Sequence, residues 1–328
     1  MRPVAAVRNR LAWAIRTVLS GSGSRKFAPT PGAPTLLPAG GAAWLVHAEA
    51  SMILGGIRAL LLQSLHPVAM QGVGEHSDFR ADPLGRLRRT VFFLGTTTYC
   101  SLREAEAAIE AVRRVHLSVS GVTPDGRRYR ADDQDLLVWV HATEIDSFLE
   151  AFLRYGRRPR RRGTSLTPNL PDSHRSGGAG GSGGSGGSEP VPASSGMPLA
   201  ELPDRYVAEM AEVGGRLGID DPPRSHTELA AVIAGFRPVL AATDLSREAA
   251  YFLRAFPLPP VARLAYGVLF WAAFDSLPQW AQSLHDLRCG RLRRSVVRPT
   301  ARAMLRFMGW ALRDAPDPAE SPQQLSVA

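Results

Sequence analysis

At 328 residues, 45% of them apolar, the chain can bury a sizeable core in one large domain or two ordinary ones. Its formal charge of +9 is carried by Arg far more than Lys, yet no interleaved aromatics or known module accompany it, so nucleic-acid binding is not expected. The two cysteines, Cys100 and Cys289, lie far apart and fit buried or free thiols of a reducing compartment, which points to a cytoplasmic protein.

Residues 1–41 read as a basic, mostly flexible leader. Its start, MRPVAAVRNRLAWAIRTVLSG, is amphipathic, but Arg16 cuts the apolar run and no small-residue cleavage site follows. A secretory signal is therefore not expected, and weak contact with a membrane surface is the functional reading of this segment. No stretch of eighteen uninterrupted apolar residues exists, so no spanning helix is expected.

Core helices are expected over 42–156. From Ala42 to Leu65 apolar residues come almost all round the helix, which argues burial on most sides, and Pro67 stops it. Asp82 as N-cap and Pro83 at the first helical position open a helix through LGRLRRTVFFLGT to about Thr97. Arg86 and Thr90, four apart, share one face of it. Ser101 and Glu104 form a capping box for the next helix, where Ala105, Ile109, Val112, His116 and Val119 recur at 4-3-4-3 spacing. That spacing places His116 on the inward stripe, and Gly121 ends the helix. After a polar turn from Thr123 to Asp132, a helix runs from about Asp133 to Tyr155, with His141 facing inward.

Residues 157–198 form an Arg, Gly and Ser-rich insertion without periodicity, expected to be disordered. The Arg blocks 154–162 and 288–298 read as solvated basic surface. Helical pattern resumes over 199–314, which is expected to complete the same domain. Its helices begin at Pro203 and at a second capping box, Ser225 with Glu228. Others are expected at Ser246–Phe256, Pro260–Ser276, Pro278–Leu287 and Val297–Arg313. No period-two pattern persists, and residues 315–328 read as a disordered tail. The expected fold class is all-α, a single domain of nine or ten helices.

The stretch from Gly56 to Gly121 carries more His, Arg and Thr than a helical core needs. A lone buried histidine is more often a hydrogen-bonded core residue than a ligand. The spacings of His66, His76, His116 and His141 match no zinc motif, and HExxH, CxxC pairs and the Glu-x-x-His pairs of di-iron bundles are absent. CxxCH is missing too, which excludes covalent c-type haem. One inward imidazole on a haem iron remains compatible, with His116 as the metal ligand. A buried Arg86 needs an anion: a haem propionate or a carboxylate such as Asp78 or Asp82 would serve. Thr90 would by default bond its own helix backbone.

The segments LLQSLHPVAMQGV, HSDF, DPLGRLRRT, VHLSVSG, YRADDQDLLVWVHAT and YVAEMAEVGGRLG resemble the catalytic domain of MpaB-type oxygenases and rubber oxygenase (latex-clearing protein). The resemblance runs over 44–155 and, more loosely, from Tyr206 to about Arg313. It implies a globin-related helical core with non-covalent haem b, and cleavage of isoprenoid double bonds with dioxygen. It matches His116 to the proximal haem ligand, and Arg86 and Thr90 to the family's Arg-x-x-x-Thr. Rubber oxygenases carry Lys before that Thr; here it is Arg89, bulkier and permanently charged. Glu75 is the nearest carboxylate upstream for the family's acidic base. His66, His76 and His141 fit motif positions around the cofactor. The resulting expectation is a haem-dependent oxygenase acting on an apolar, isoprenoid-type substrate, with no obligate protein partner. The alternative is a non-catalytic helical protein that binds lipid or another hydrophobic ligand at a membrane surface.

Overall fold

A computed structural model describes residues 27–77, 79–156, 165–166, 197–285, 287 and 289–313. The N-terminal amphipathic segment, Asp78, the arginines from Arg157 to Arg162, Arg288 and the tail after Pro316 lie outside them. Among the described residues the fold is a single, mostly helical domain of twelve α-helices with two very short β-hairpins.

The first half contributes α1 (Ala42–His47), α2 (Met52–Gln63), α3 (Pro67–His76), α4 (Pro83–Tyr99), α5 (Leu102–Ser118) and α6 (Gln134–Tyr155). The second contributes α7 (Leu202–Leu217), α8 (His226–Phe236), α9 (Asp244–Arg254), α10 (Pro260–Ser276), α11 (Gln279–Leu284) and α12 (Arg291–Arg313). The central layer is α2 against α6, with α10 also packed on α2, and α7 and α8 on α6. Contact between α2 and α6 is close because Gly55 has no side chain: a Cβ there would meet the Phe148 ring at 2.7 Å. Trp139, Tyr206, Phe270 and Phe274 are among the largest side chains wholly inside.

Polar ties knit distant parts of the chain. Arg58, 3% exposed, donates to Asp146 at 2.6 Å and to the Ser147 hydroxyl at 2.8 Å. The carbonyls at the end of α2, which no further turn can satisfy, are met from the second half. The His285 Nε2–H reaches Leu61 O at 2.8 Å, the Ser246 hydroxyl Ser64 O at 2.6 Å, and the Ala241 amide Leu65 O at 2.9 Å. Glu209 on α7 caps α1 from afar, accepting the Ala42 and Ala43 amides at 2.9 and 2.7 Å.

Several boundaries differ from the sequence expectation for identifiable reasons. The apolar run from Ala42 breaks at Ala48–Ser51 into α1 and α2. Pro67 ends no helix but opens one, since α2 stops at Gln63 and His66 is the N-cap of α3, its Nδ1 accepting the Ala69 amide at 3.3 Å. Helix α5 stops at Ser118, because residues 120–122 leave it to pair antiparallel with Arg128–Arg130. The second ladder, Ser165–Leu166 with Met197–Pro198, is two residues long. Strands this short cannot display a period-two pattern, so the all-α expectation becomes mostly helical. Helix α12 begins six residues before Val297 and carries Pro299 inside it. The expected box at Ser225 forms only by half, because the Ser225 hydroxyl accepts the Glu228 amide while the Glu228 carboxylate takes the Arg224 amide. A full box, Thr243 with Ser246, opens α9 where the N3 residue is Ser rather than Glu or Gln.

No single described helix is long and apolar enough to cross a membrane, and only the pair α2 and α3, bent by 108°, passes together on length and composition. Both cysteines are buried and neither forms a disulfide.

Candidate functional site

Helices α4 and α5 form an antiparallel hairpin turning at Cys100, and their packing changes along its length. Next to the turn it is tight: Leu94 to Thr98 on α4, and Ala105 and Ile109 on α5, are buried. Towards the open end the described chain covers less. Leu84, Leu87 and Val91 on α4, Val112 and His116 on α5, and Val119 just past its end are half-buried, and Val115 is 59% exposed. The inward stripe read from sequence therefore exists in direction, but only its first half is enclosed by described protein.

His116 and Arg86 stand at this open end. At 1.5 Å per residue they lie about 24 and about 21 Å from the turn, at similar heights on the two arms. The Nδ1 of His116 is buried without a hydrogen-bond partner. Burial lowers its pKa, opposed by the charge of Asp132, and keeps the imidazole neutral at neutral pH. A neutral ring with an unsatisfied buried nitrogen is the form that can take a metal or a hydrogen-bond partner.

Arg86 is also half-buried. It donates to the Ser77 hydroxyl, and no carboxylate pairs with it among the described residues. Burial lowers its pKa, and the like charge of Arg89 adds to that. An under-neutralised guanidinium in low dielectric calls for an anion. Thr90 is exposed and its hydroxyl donates to the Arg86 carbonyl at 3.2 Å, bonding its own helix as such threonines usually do. Arg89 is 67% exposed and lies 3.5 Å from Asp82, the N-cap of the same helix.

Glu75 sits at the end of α3 under the first β-hairpin. It accepts the Tyr129 hydroxyl and, at 2.7 Å, the Gln71 amide, and these bonds hold its carboxyl below the usual range. The neighbouring His76 bonds the Ser120 carbonyl at 3.1 Å through Nε2. His66 and His141 stand elsewhere. His66 is packed on Trp139 and Phe236, and burial lowers its pKa. His141 lies against α7, its Nε2 buried and unpartnered, and burial takes its pKa down to about 4.

A second polar group, not singled out from sequence, lies between α1, α4, α6 and α7. His47 joins the Thr98 hydroxyl at 2.8 Å to the Tyr206 hydroxyl at 2.9 Å, and burial pushes its pKa to about 3. Glu144, one turn beyond His141, makes no hydrogen bond among the described residues, and burial raises its carboxyl to about 7. Its only sequence signal was a charged residue inside an apolar helix pattern, HATEID.

Among the described residues no three His, Cys, Asp or Glu side chains converge to hold a bare metal ion. What the hairpin offers a prosthetic group is one neutral imidazole, one cation that no carboxylate among the described residues pairs with, and partly uncovered apolar side chains. That donor set would suit a haem, with His116 for the iron, Arg86 for a propionate and apolar side chains for the ring.

A family model described as "ER-bound oxygenase mpaB/B'/Rubber oxygenase, catalytic domain" matches residues 44–164 and 197–313. No curated protein and no solved structure matches the chain significantly.

Proposed function

This chain belongs to the mpaB/B' and rubber oxygenase catalytic-domain family, and from that membership we propose that it is a haem b-dependent oxygenase. Family membership makes it an oxidoreductase that takes dioxygen and an organic substrate. The haem and the apolar, isoprenoid-type character of the substrate are our reading. The observation that carries it is the buried, unpartnered Nδ1 of His116, at the same end of the hairpin as Arg86, which no carboxylate among the described residues pairs with.

Bound haem supplies an iron centre able to activate dioxygen. The chain's own residues do the rest. His116 would hold the iron through a neutral imidazole, and Arg86 would offer its guanidinium to a propionate, where a charge-assisted bond would replace lost hydration. The Thr90 hydroxyl secures the Arg86 carbonyl within α4. Leu87, Val91 and Val112 give the apolar surface that excludes water and suits an apolar substrate. His66, packed on Trp139 and Phe236, and His141, packed against Gly214, stand apart from this surface and are structural groups, and His76 fixes the β-hairpin to α3. The bonds from Tyr129 and Gln71 make Glu75 a weaker base, which favours a positioning role for it too. Arg89 turns to solvent and to Asp82 and would take no part in holding the group.

The test is spectroscopic. Protein reconstituted with haem should show a Soret band in stoichiometric yield, and His116→Ala should lose it or shift it to the free-haem spectrum. A wild-type protein that stays colourless after reconstitution overturns the proposal.

A further inference from the structure

The far end of α6 carries a feature the oxygenase reading does not use. A cleft of about 260 Å³ is lined by Arg154, Tyr155, Gly156, Arg302 and Arg306. Two elements build it: the last turn of α6 supplies Arg154 and Tyr155, and α12 supplies Arg302 and Arg306 four residues apart, on one helix face.

The charges there are unevenly matched. Arg154 is paired with Glu150, one turn back on α6. Arg302 makes only a 3.4 Å bond to the Arg154 carbonyl and lies 5.8 Å over the Tyr155 ring. Arg306 pairs with nothing among the described residues. The carboxylate on the same side, Asp275, is already shared between Arg294 at 2.7 Å and Arg298 at 2.6 Å. Tyr155 is 95% buried, and its hydroxyl has no hydrogen-bond partner among the described residues. Beyond Gly156 the sequence adds five arginines within six residues.

Solvated surface arginines are common and ordinarily spread apart to lower their repulsion. Here guanidinium groups from two helices gather round one concavity without a protein carboxylate for two of them. Guanidinium forks match the oxygens of a phosphate, and a concavity of this size holds one or two phosphoryl groups.

We infer that this cleft is an oxyanion site of phosphate class, with Arg302 and Arg306 as its principal donors and Arg154 and Tyr155 at its edge. The cleft lies about 30 Å along α6 from the end that faces the β-hairpin and His116. Its ligand is therefore not the group being oxidised at the candidate haem site. The chemistry is shared by a free phosphate or pyrophosphate and by the headgroup of an anionic phospholipid.

Two arms separate those sources, using the full chain. Calorimetric titration with inorganic pyrophosphate reads free-phosphate binding; co-flotation with vesicles of phosphatidylcholine, with or without phosphatidic acid, reads the headgroup. The double variant Arg302→Gln/Arg306→Gln should weaken whichever interaction is found by tenfold or more. Arg205→Gln/Arg216→Gln, of equal charge change but away from the cleft, should alter it less than twofold. Circular dichroism melts verify that both variants fold. Pyrophosphate binding lost in the cleft variant assigns a soluble ligand, and flotation lost in it assigns a lipid. Arg302→Lys/Arg306→Lys should retain only part of either, because charge survives without the fork. Absence of saturable binding in both arms, or equal loss in the two double variants, overturns the inference.

Discussion

His141 stands so close to Gly214 that a Cβ added to that glycine would lie 2.8 Å from the imidazole Nε2. The two residues mark the contact of α6 with α7, where a ring from one helix fills the place of a missing side chain on the other. Gly214→Ala should therefore destabilise the fold by ~1–3 kcal/mol through overpacking. The adjacent Gly215 has nothing within 4 Å of its Cβ position. Gly215→Ala should be neutral or stabilising by up to about 1 kcal/mol, since alanine favours the helix. Urea unfolding of the pair checks this, and equal losses would contradict it.

Glu144 should make the fold weaken with rising pH. Its carboxyl is raised by burial from the usual 4.5 to about 7, so the folded state binds more protons than the unfolded state between these values. Stability from the neutral acid is fully present below pH 4.5 and lost as pH climbs through 7, by about 3 kcal/mol. Glu144→Gln should leave stability unchanged at pH 4.5 and raise it at pH 8. Denaturant midpoints at the two pH values read this directly.

His47 acts on the acid side. Its pKa falls from 6.5 unfolded to about 3 folded, so the stability it contributes is complete above pH 6.5 and lost as pH drops towards 3. His141 works in the same direction over a shorter window, down to about 4. In His47→Gln the decline in urea midpoint from pH 6.5 to 4 should be shallower, though not flat. Tyr206→Phe would strand one His47 nitrogen in the interior, at a cost of ~1–3 kcal/mol at pH 7.

Arg86 separates fold from cofactor. Without haem, its buried charge lacks a carboxylate among the described residues, so Arg86→Met should leave apoprotein stability unchanged or slightly higher. The same variant should bind haem at least tenfold more weakly, measured by Soret titration. Loss of apoprotein stability with unaltered haem affinity would instead make Arg86 a structural residue.

Local signals carried much of this architecture. Asp82-Pro83 and the Ser101–Glu104 box announce α4 and α5 because caps are chemistry between near neighbours. Helix α3 was missed where one proline both ends a pattern and begins another, and Gly72 and Gly74 dilute its apolar face. The arm bearing His116 was legible from periodicity, but how far it is covered was not, since that depends on helices far away in sequence. Glu144, Glu209 and Tyr206 were out of reach for the same reason. Their burial comes from α6 and α7 meeting across more than forty residues, and nothing in their local pattern encodes that meeting.

The two-residue ladder of Ser165–Leu166 with Met197–Pro198 has a practical corollary. It pinches the chain together at the base of everything between Leu166 and Met197. A loop so closed contributes to folding only through the logarithm of its length, and halving it changes the closure entropy by roughly 0.6 kcal/mol. A fluorescent reporter or an affinity handle spliced in between the two strands should therefore shift the urea midpoint of the packed helices little.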